Sequence, residues 1–164
     1  SFALLISRSA KPHMAEIGRL PNSESFRNIR HFNVTTWPHL VSIRIDDGLQ
    51  FFNHQHIAET IQQRVHTQAS LRYVVLQCHG INHIDYSGAQ ALLQLQRDLA
   101  RQNITLVLSE IKMPVQQQLD KLHFRRHFDG HIFLTHNQAV EAILATSAHA
   151  DLKNHTEPDT HLQK

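Results

Sequence analysis

The hydrophobic pattern changes period near the middle of the chain, in residues 73–102. Residues 73–76 are an uninterrupted apolar run (Tyr-Val-Val-Leu), which is typical of a strand buried on both faces of a sheet. Beyond Gly88 the apolar residues recur at the spacing of an amphipathic helix, with polar residues on the opposite side. The apolar side holds Ala91, Leu92, Leu95 and Leu99. The pattern therefore predicts a buried strand, a loop and then a helix.

The start of this helix is polar and carries the candidate regulatory site, which is Asp85, Ser87 and Gly88. Either Asp85 or Ser87 is placed to act as the N-cap, because its side-chain oxygen can accept a hydrogen bond from a free N–H group of the first turn. The positive end of a helix also favours an anion such as a phosphate. The segment is therefore a helix cap, a signalling position, or both.

The rest of the chain alternates between strand and helix patterns. Strands are predicted at residues 29–33, 40–46, 73–78, 104–109 and 132–134. Helices are predicted at 53–68 with Asn53 as its cap, from Gly88, from Pro114, and from a capping box that begins at Thr135. Phe51 and Phe52 are expected to belong to the core.

Short connections between alternating strands and helices predict an α/β domain with a largely parallel sheet. We expect a mixed sheet of four or five strands, with residues 73–78 and 104–109 in its interior. Apolar and polar residues alternate in residues 40–46, which suggests that one face of the sheet is less covered than the other. The helices are therefore expected mainly on one face.

The two ends of the chain differ from this pattern. Residues 2–6 are apolar and are followed by Arg8 and Lys11, so they are either a buried helical turn, part of a strand, or the end of a membrane helix with a cytoplasmic basic flank. Residues 12–28 contain Pro12, Gly18 and Pro21 and are expected to be a surface linker. We expect the domain itself at 29–147 and a mobile polar tail at 148–164.

Composition limits the classes of function. The 164 residues are 41% hydrophobic and 18% charged, which is ordinary for a globular domain. A net charge of +2 gives no reason to expect nucleic acid as a partner. The one cysteine, Cys78, ends a buried strand, so we expect an inert core thiol and no internal disulfide.

The sequence has many potential ligands but no metal or catalytic motif. Fifteen histidines are present, yet neither an HExxH nor a CxxC pattern occurs, and we interpret the histidines as surface residues. Ser87 lacks the GxSxG context of a nucleophile, and its sequence neighbours His79, His83 and Asp85 are poor evidence for a triad. No catalytic residue, metal or cofactor is predicted, and we expect the chain not to be an enzyme.

The order of elements around Ile84-Asp85-Tyr86-Ser87-Gly88-Ala89-Gln90-Ala91-Leu92 resembles the STAS domain, named for sulfate transporters and anti-sigma-factor antagonists. The upstream residues 8–28 are similar to the linker between the last membrane helix and the STAS domain in SulP anion transporters, and the pattern from Arg44 to Asn53 resembles the same branch. The resemblance implies that residues 1–28 are the end of the last transmembrane helix and the linker. The resemblance implies a STAS-type (SpoIIAA-like) α/β fold. It also implies a cytoplasmic regulatory and structural domain of a secondary anion transporter of the cell inner membrane.

The resemblance further implies partners and a partner surface. The expected partners are the membrane domain of the same polypeptide, a second copy within a homodimeric transporter, and a regulatory protein. The expected surface consists of Ile84, Tyr86, Gln90 and Gln94, beside the loop that precedes the helix. The alternative is a stand-alone anti-sigma-factor antagonist, in which the serine that matches Ser87 is phosphorylated; such proteins usually have Ser or Thr where this chain has Tyr86.

Overall fold

The computed structural model describes residues 13–50 and 53–154, with side chains as far as Ser147. The strands are β1 (Met14–Arg19), β2 (Phe26–Asn28), β3 (Leu40–Ile45), β4 (Tyr73–Gln77), β5 (Thr105–Ser109) and β6 (Ile132–Phe133). The helices are α1 (His54–His66), α2 (Tyr86–Ala100), α3 (Met113–Lys121) and α4 (His136–Asn154), and a short 3-10 turn spans Phe124–Arg126. Phe51 and Phe52, which were expected in the core, lie outside the described residues.

The strands form one mixed sheet in the order β2-β1-β3-β4-β5-β6. Strands β3 to β6 run parallel, while β1 is antiparallel to both of its neighbours. In the register, Val75 of β4 lies between Ser42 of β3 and Val107 of β5. The mixed α/β fold with β4 and β5 inside the sheet is confirmed, although the sheet has six strands and not four or five.

The additional strands come from a segment that the sequence assigned wrongly to a linker. In β1, Ala15 and Ile17 are buried, and Arg64 of α1 donates two hydrogen bonds to the Glu16 carboxylate at 2.7 and 2.9 Å. Gly18 pairs with Arg27 within the sheet, and the position requires glycine because a Cβ there would lie 2.6 Å from the side chain of Val34 and 2.7 Å from the Thr35 carbonyl. The glycine that suggested a linker is therefore required by close packing.

Two other boundaries differ from expectation. Residues 29–33 form turns and bends instead of the predicted first strand, and the amides of His31 and Phe32 both donate to the Asn28 carbonyl. Helix α4 runs to Asn154, so the polar segment that was expected as a tail from Ala148 begins as helix. Residues 155–164 lie outside the described part of the chain.

The helices cover the two faces unequally, as expected. Val74 and Leu76 of β4 face the larger core beneath α1, α2 and α3, whereas Val75 faces the smaller core beneath α4. Because side chains alternate along a strand, the apolar run in β4 supplies both cores. Burying a side chain of this kind contributes about 1.5–3 kcal/mol.

The predicted caps have different outcomes. The capping box of α4 is confirmed, since Thr135 Oγ1 accepts from the Gln138 amide at 3.1 Å and Gln138 Oε1 accepts from the Thr135 amide at 3.3 Å. Asn53 precedes α1 without capping it by its side chain. Its carboxamide instead accepts from the Gln50 amide and donates to the Gly48 carbonyl, which stabilises the loop upstream.

Candidate functional site

The candidate residues gather at the carboxyl edge of the sheet, where the four parallel strands end. The four α-helices of the described residues begin at this edge. The antiparallel strand β1 starts there too, and the backbone amide of Asp46 donates to the His13 carbonyl at 3.0 Å. Residue 13, where the described chain starts, is therefore on the same side as the start of α2.

Asp85, and not Ser87, is the N-cap of α2. Asp85 has extended backbone angles (φ −99°, ψ 179°), and its Oδ1 accepts from the Gly88 amide at 2.8 Å. Ser87 is the second residue of the helix and is half-buried. Its hydroxyl makes no hydrogen bond to any residue that the structure describes.

Gly88 allows the loop before α1 to lie against the first turn of α2. A Cβ at Gly88 would overlap the carbonyl oxygen of Leu49 and would lie 2.7 Å from its carbonyl carbon. The Leu49 amide donates to the His83 carbonyl at 2.9 Å, and the Leu49 carbonyl accepts from the Asp85 amide at 3.2 Å. The two loops are thus joined through backbone hydrogen bonds, and the joint requires glycine at position 88.

Gln118 of α3 holds the same loop from the other side. Its Oε1 accepts from the Ile84 amide at 2.9 Å, and its Nε2 lies 2.9 Å from His83 Nδ1. Lys112, just before α3, donates to Asn82 Oδ1 at 2.6 Å. Sequence reasoning missed Gln118, because a glutamine on the polar side of a short helix has no local signal for this role.

The expected partner surface is exposed except at one position. Tyr86 is 64% exposed, and Gln90 and Gln94 are exposed on the following turns. Ile84 is only 3% exposed, because it forms a bridge with Leu49 and packs in the larger core, so its inclusion was wrong.

Next to this surface, a groove of about 520 Å³ separates α1 from α2. Its α2 side includes Tyr86, Ser87, Gln90 and Gln94, and its α1 side includes His54, Gln55 and Ala58. The structure therefore brings Ser87 together with the exposed part of the predicted surface. The lining combines hydrogen-bonding side chains with the apolar residues Ala58, Ala91 and Leu95.

Two groups that the sequence raised as candidates for nucleophilic or acid–base chemistry, Cys78 and His83, have structural surroundings of their own. Burial raises the pKa of the Cys78 thiol to about 12. His83 is engaged with Gln118, on the loop side of α3. Within the described residues, no group of three or more His, Cys, Asp or Glu side chains is placed to hold a metal ion.

A buried polar cluster under α4 was not foreseen. His136 is 1% exposed; its Nδ1 lies 2.8 Å from Ser109 Oγ and its Nε2 lies 2.8 Å from Ser42 Oγ. Ser109 Oγ also donates to the Leu76 carbonyl at 3.3 Å, so it accepts from His136 Nδ1–H, and Ser42 donates to Nε2. Burial lowers the pKa of His136 to about 4. The cluster joins the start of α4 to β3 and β5.

A charged cluster lies at the carboxyl edge of the sheet, beside the start of β1. Arg44 Nε donates to the Asp46 carboxylate at 2.8 and 3.0 Å, and His13 Nδ1 lies 2.9 Å from it. Burial by itself would raise the pKa of Asp46, but the bonds from Arg44 and His13 outweigh it and lower the pKa. This cluster fixes the start of β1 beside the end of β3.

The family is decided by a comparison with known families. Residues 31–139 match the family model described as the STAS domain. The chain belongs to the STAS domain family. The Asp85–Gly88 turn, the joined loops and the groove beside α2 are therefore features of a STAS domain.

Relatives and solved structures agree with this family. The chain is 30% identical over 156 residues to Sulfate transporter 1.2 of Arabidopsis thaliana, which covers 87% of this chain and 23% of that protein. The structure of the murine Slc26a9 anion transporter in the inward-facing state matches with a TM-score of 0.75 at 16% identity, over 88% of this chain and 24% of that one.

The anti-sigma factor antagonist SpoIIAA in its unphosphorylated form matches with a TM-score of 0.56 at 14% identity, over 68% of this chain and 93% of that one. At these identities the two solved structures show the fold. The STAS domain spans about a quarter of the length of the transporters that it matches. Within residues 13–50 and 53–154, none of the helices has the length and apolar composition needed to cross a bilayer.

Proposed function

We propose that this STAS domain is the cytoplasmic regulatory and structural domain of a SulP-type secondary anion transporter of the inner membrane. The observation that carries the proposal is the 30% identity to a plant sulfate transporter, which extends over 87% of this chain. In this proposal the anion is selected and moved by another part of the polypeptide. The STAS domain has no catalytic role.

The surface proposed for this role is the exposed side of α2 with the groove beside it. Its position is well defined, because Asp85 caps the helix, Gly88 admits the Leu49 carbonyl and Gln118 holds the preceding loop. A surface that is rigid before binding loses less entropy when it meets a partner. The partners proposed are the membrane domain of the same polypeptide, a second copy in a homodimer, and a regulatory protein.

Deletion of residues 29–147 from the full-length gene tests the proposal. We expect the deletion to reduce uptake of radiolabelled sulfate, or to reduce the amount of transporter in the membrane. Gly88→Ala offers a finer test, because the added methyl overlaps the Leu49 carbonyl without changing charge, and we expect it to act in the same direction as the deletion. Uptake and protein amount that both stay unchanged after the deletion would refute the proposed role.

The second candidate function is a stand-alone phosphorylation switch of the anti-sigma-factor antagonist type. It is favoured by Ser87 itself, whose hydroxyl is unbonded among the described residues and lies in the first turn of α2. A phosphate there would meet the positive end of the helix and would change the charge of the partner surface without unfolding the domain. The DNA upstream of the Ser1 codon distinguishes the two functions, because only a transporter gene continues for hundreds of apolar-rich codons.

A further inference from the structure

The basic side chains of this STAS domain are mostly paired, and the exceptions cluster. Arg19, Arg44, Arg64 and Arg101 form ion pairs, and Arg27, Arg72, Arg97 and Lys112 donate hydrogen bonds. Among the arginines and lysines whose side chains are described, those without any such partner are Arg30, Lys121, Arg125 and Arg126. Three of these occur within six residues of the chain, at the end of α3 and in the 3-10 turn that follows it, and we refer to Lys121, Arg125 and Arg126 as the basic turn.

The backbone of the basic turn is held firmly while its charged groups are exposed. Phe124 and Phe128 are buried, and their rings stack with centroids 5.0 Å apart. The Phe124 carbonyl accepts from the amides of His127 at 3.0 Å and Phe128 at 3.1 Å. Along the chain, Arg125 and Arg126 lie between Phe124 and Phe128, and their own side chains are exposed to solvent.

We propose that the basic turn binds an acidic segment of a partner protein. A guanidinium group offers paired donors that match the two oxygens of a carboxylate. Among the described residues, neither Arg125 nor Arg126 has an ion pair that would have to break before a partner could bind. The fixed backbone reduces the entropy lost when a partner binds. This binding surface is separate from the α2 surface of the proposed function.

The position of the basic turn favours a protein partner over a membrane surface. Helix α3 starts at the carboxyl edge of the sheet and leads to the start of β6, so the basic turn lies at the amino edge. Strands of five or six residues separate the two edges by roughly 17–20 Å. His13 lies at the carboxyl edge, beside Asp46. In the proposed function, on which this step rests, the chain that connects to the membrane part reaches the domain at this edge, opposite the basic turn.

Neighbouring acidic residues also limit the size of the partner. Asp120 and Asp129 are exposed on either side of the basic turn along the chain. Their carboxylates would repel a long polyanion such as a nucleic acid backbone, which is charged along its whole length. A short run of aspartate or glutamate matches the limited area of positive charge.

Fluorescence anisotropy with a fluorescein-labelled octaglutamate peptide tests the proposal on the isolated 164-residue chain. At an ionic strength of about 50 mM we expect Arg125→Gln/Arg126→Gln to weaken binding about tenfold, as loss of two exposed charge pairs predicts. The matched control is Arg27→Gln/Arg30→Gln, in and just after the edge strand β2, which four strands separate from β6. It also removes two positive charges and should change binding less than about twofold. Both variants should keep the wild-type melting temperature.

Three results would overturn the proposal. They are no binding of octaglutamate by the wild-type chain, an equal loss in the control variant, and binding of a labelled octaglutamine peptide with the same affinity. Phosphatidylglycerol vesicles and a 12-nucleotide oligothymidylate are tested in parallel. Tighter binding of either that depends on Arg125 and Arg126 would replace the protein partner by a lipid or nucleic acid. None of these outcomes bears on the transporter role, because the assay uses no membrane part and no residue of the α2 surface.

Discussion

At the start of α2, the assignment of the N-cap to Asp85 and not to Ser87 predicts different effects of the two alanine substitutions on stability. Because the Asp85 carboxylate accepts the Gly88 amide, we predict that Asp85→Ala lowers the free energy of unfolding by about 0.5–2 kcal/mol. Ser87→Ala removes no hydrogen bond within the described residues and should change it by less than about 0.5 kcal/mol. Urea denaturation of both variants measures the difference. A costly Ser87→Ala with a neutral Asp85→Ala would contradict the cap assignment.

His136 makes stability depend on pH in a defined direction. Its pKa is about 4 in the folded domain and near 6.5 in an unfolded chain, so the folded state disfavours the charged form. The contribution to stability is complete above pH 6.5 and is lost as the pH falls from 6.5 towards 4, at up to about 1.4 kcal/mol per pH unit.

We predict that His136→Gln, which cannot titrate, has a shallower loss of stability between pH 6.5 and pH 4.5 than the wild type. Urea midpoints at several pH values measure this, and the difference between the two slopes removes the contribution of the carboxylates that both proteins share. Nitrogen chemical shifts of the wild-type ring should show neutral Nδ1–H imidazole at pH 5.5. Identical slopes together with a charged ring at pH 5.5 would contradict the role given to the Ser42–His136–Ser109 cluster.

At the scale of elements, β1 and β2 should be needed for stability although they precede the region that the sequence assigned to the domain. Ile17 and Phe26 are buried in the smaller core, and Glu16 pairs with Arg64 of α1. We predict that a chain of residues 29–164 is less stable than a chain of residues 13–164 by roughly 3–6 kcal/mol, from the loss of two buried side chains. Thermal and urea melts of both chains measure this. Equal stability would mean that β1 and β2 contribute nothing to the free energy of unfolding.

At the scale of the whole molecule, Cys78 reports on global unfolding. The thiol is buried in the larger core, and burial raises its pKa to about 12, so both access and thiolate formation require the domain to open. We predict that alkylation by iodoacetamide at pH 8 is at least about a hundredfold slower in the folded protein than in 6 M urea. Destabilising variants such as Asp85→Ala should accelerate it by about tenfold for each 1.4 kcal/mol of stability lost, because the rate follows the equilibrium constant for opening. Rapid alkylation of the folded wild type would show that the strand end opens locally.

The sequence by itself determined the elements whose burial follows from the pattern of apolar residues within a short window. The buried stripe of α1 at Ile57, Ile61 and Val65, and the doubly buried run of β4, follow from local periodicity alone. The Asp85–Gly88 turn was located in the same way. Local periodicity succeeds here because each of these elements buries its own apolar side chains along a single face or strand.

Only the tertiary structure decided the features that depend on residues far apart in the chain. Gly18 is required in β1 because Val34 and Thr35 leave no room for a side chain at that position. Ile84 is buried in the larger core, where its backbone forms a bridge with Leu49. Gln118 and His136 received their roles from partners that a window of neighbouring residues does not contain. Hydrogen bonds and close contacts of this kind form only when the fold brings distant backbone together, so their residues look ordinary in the sequence.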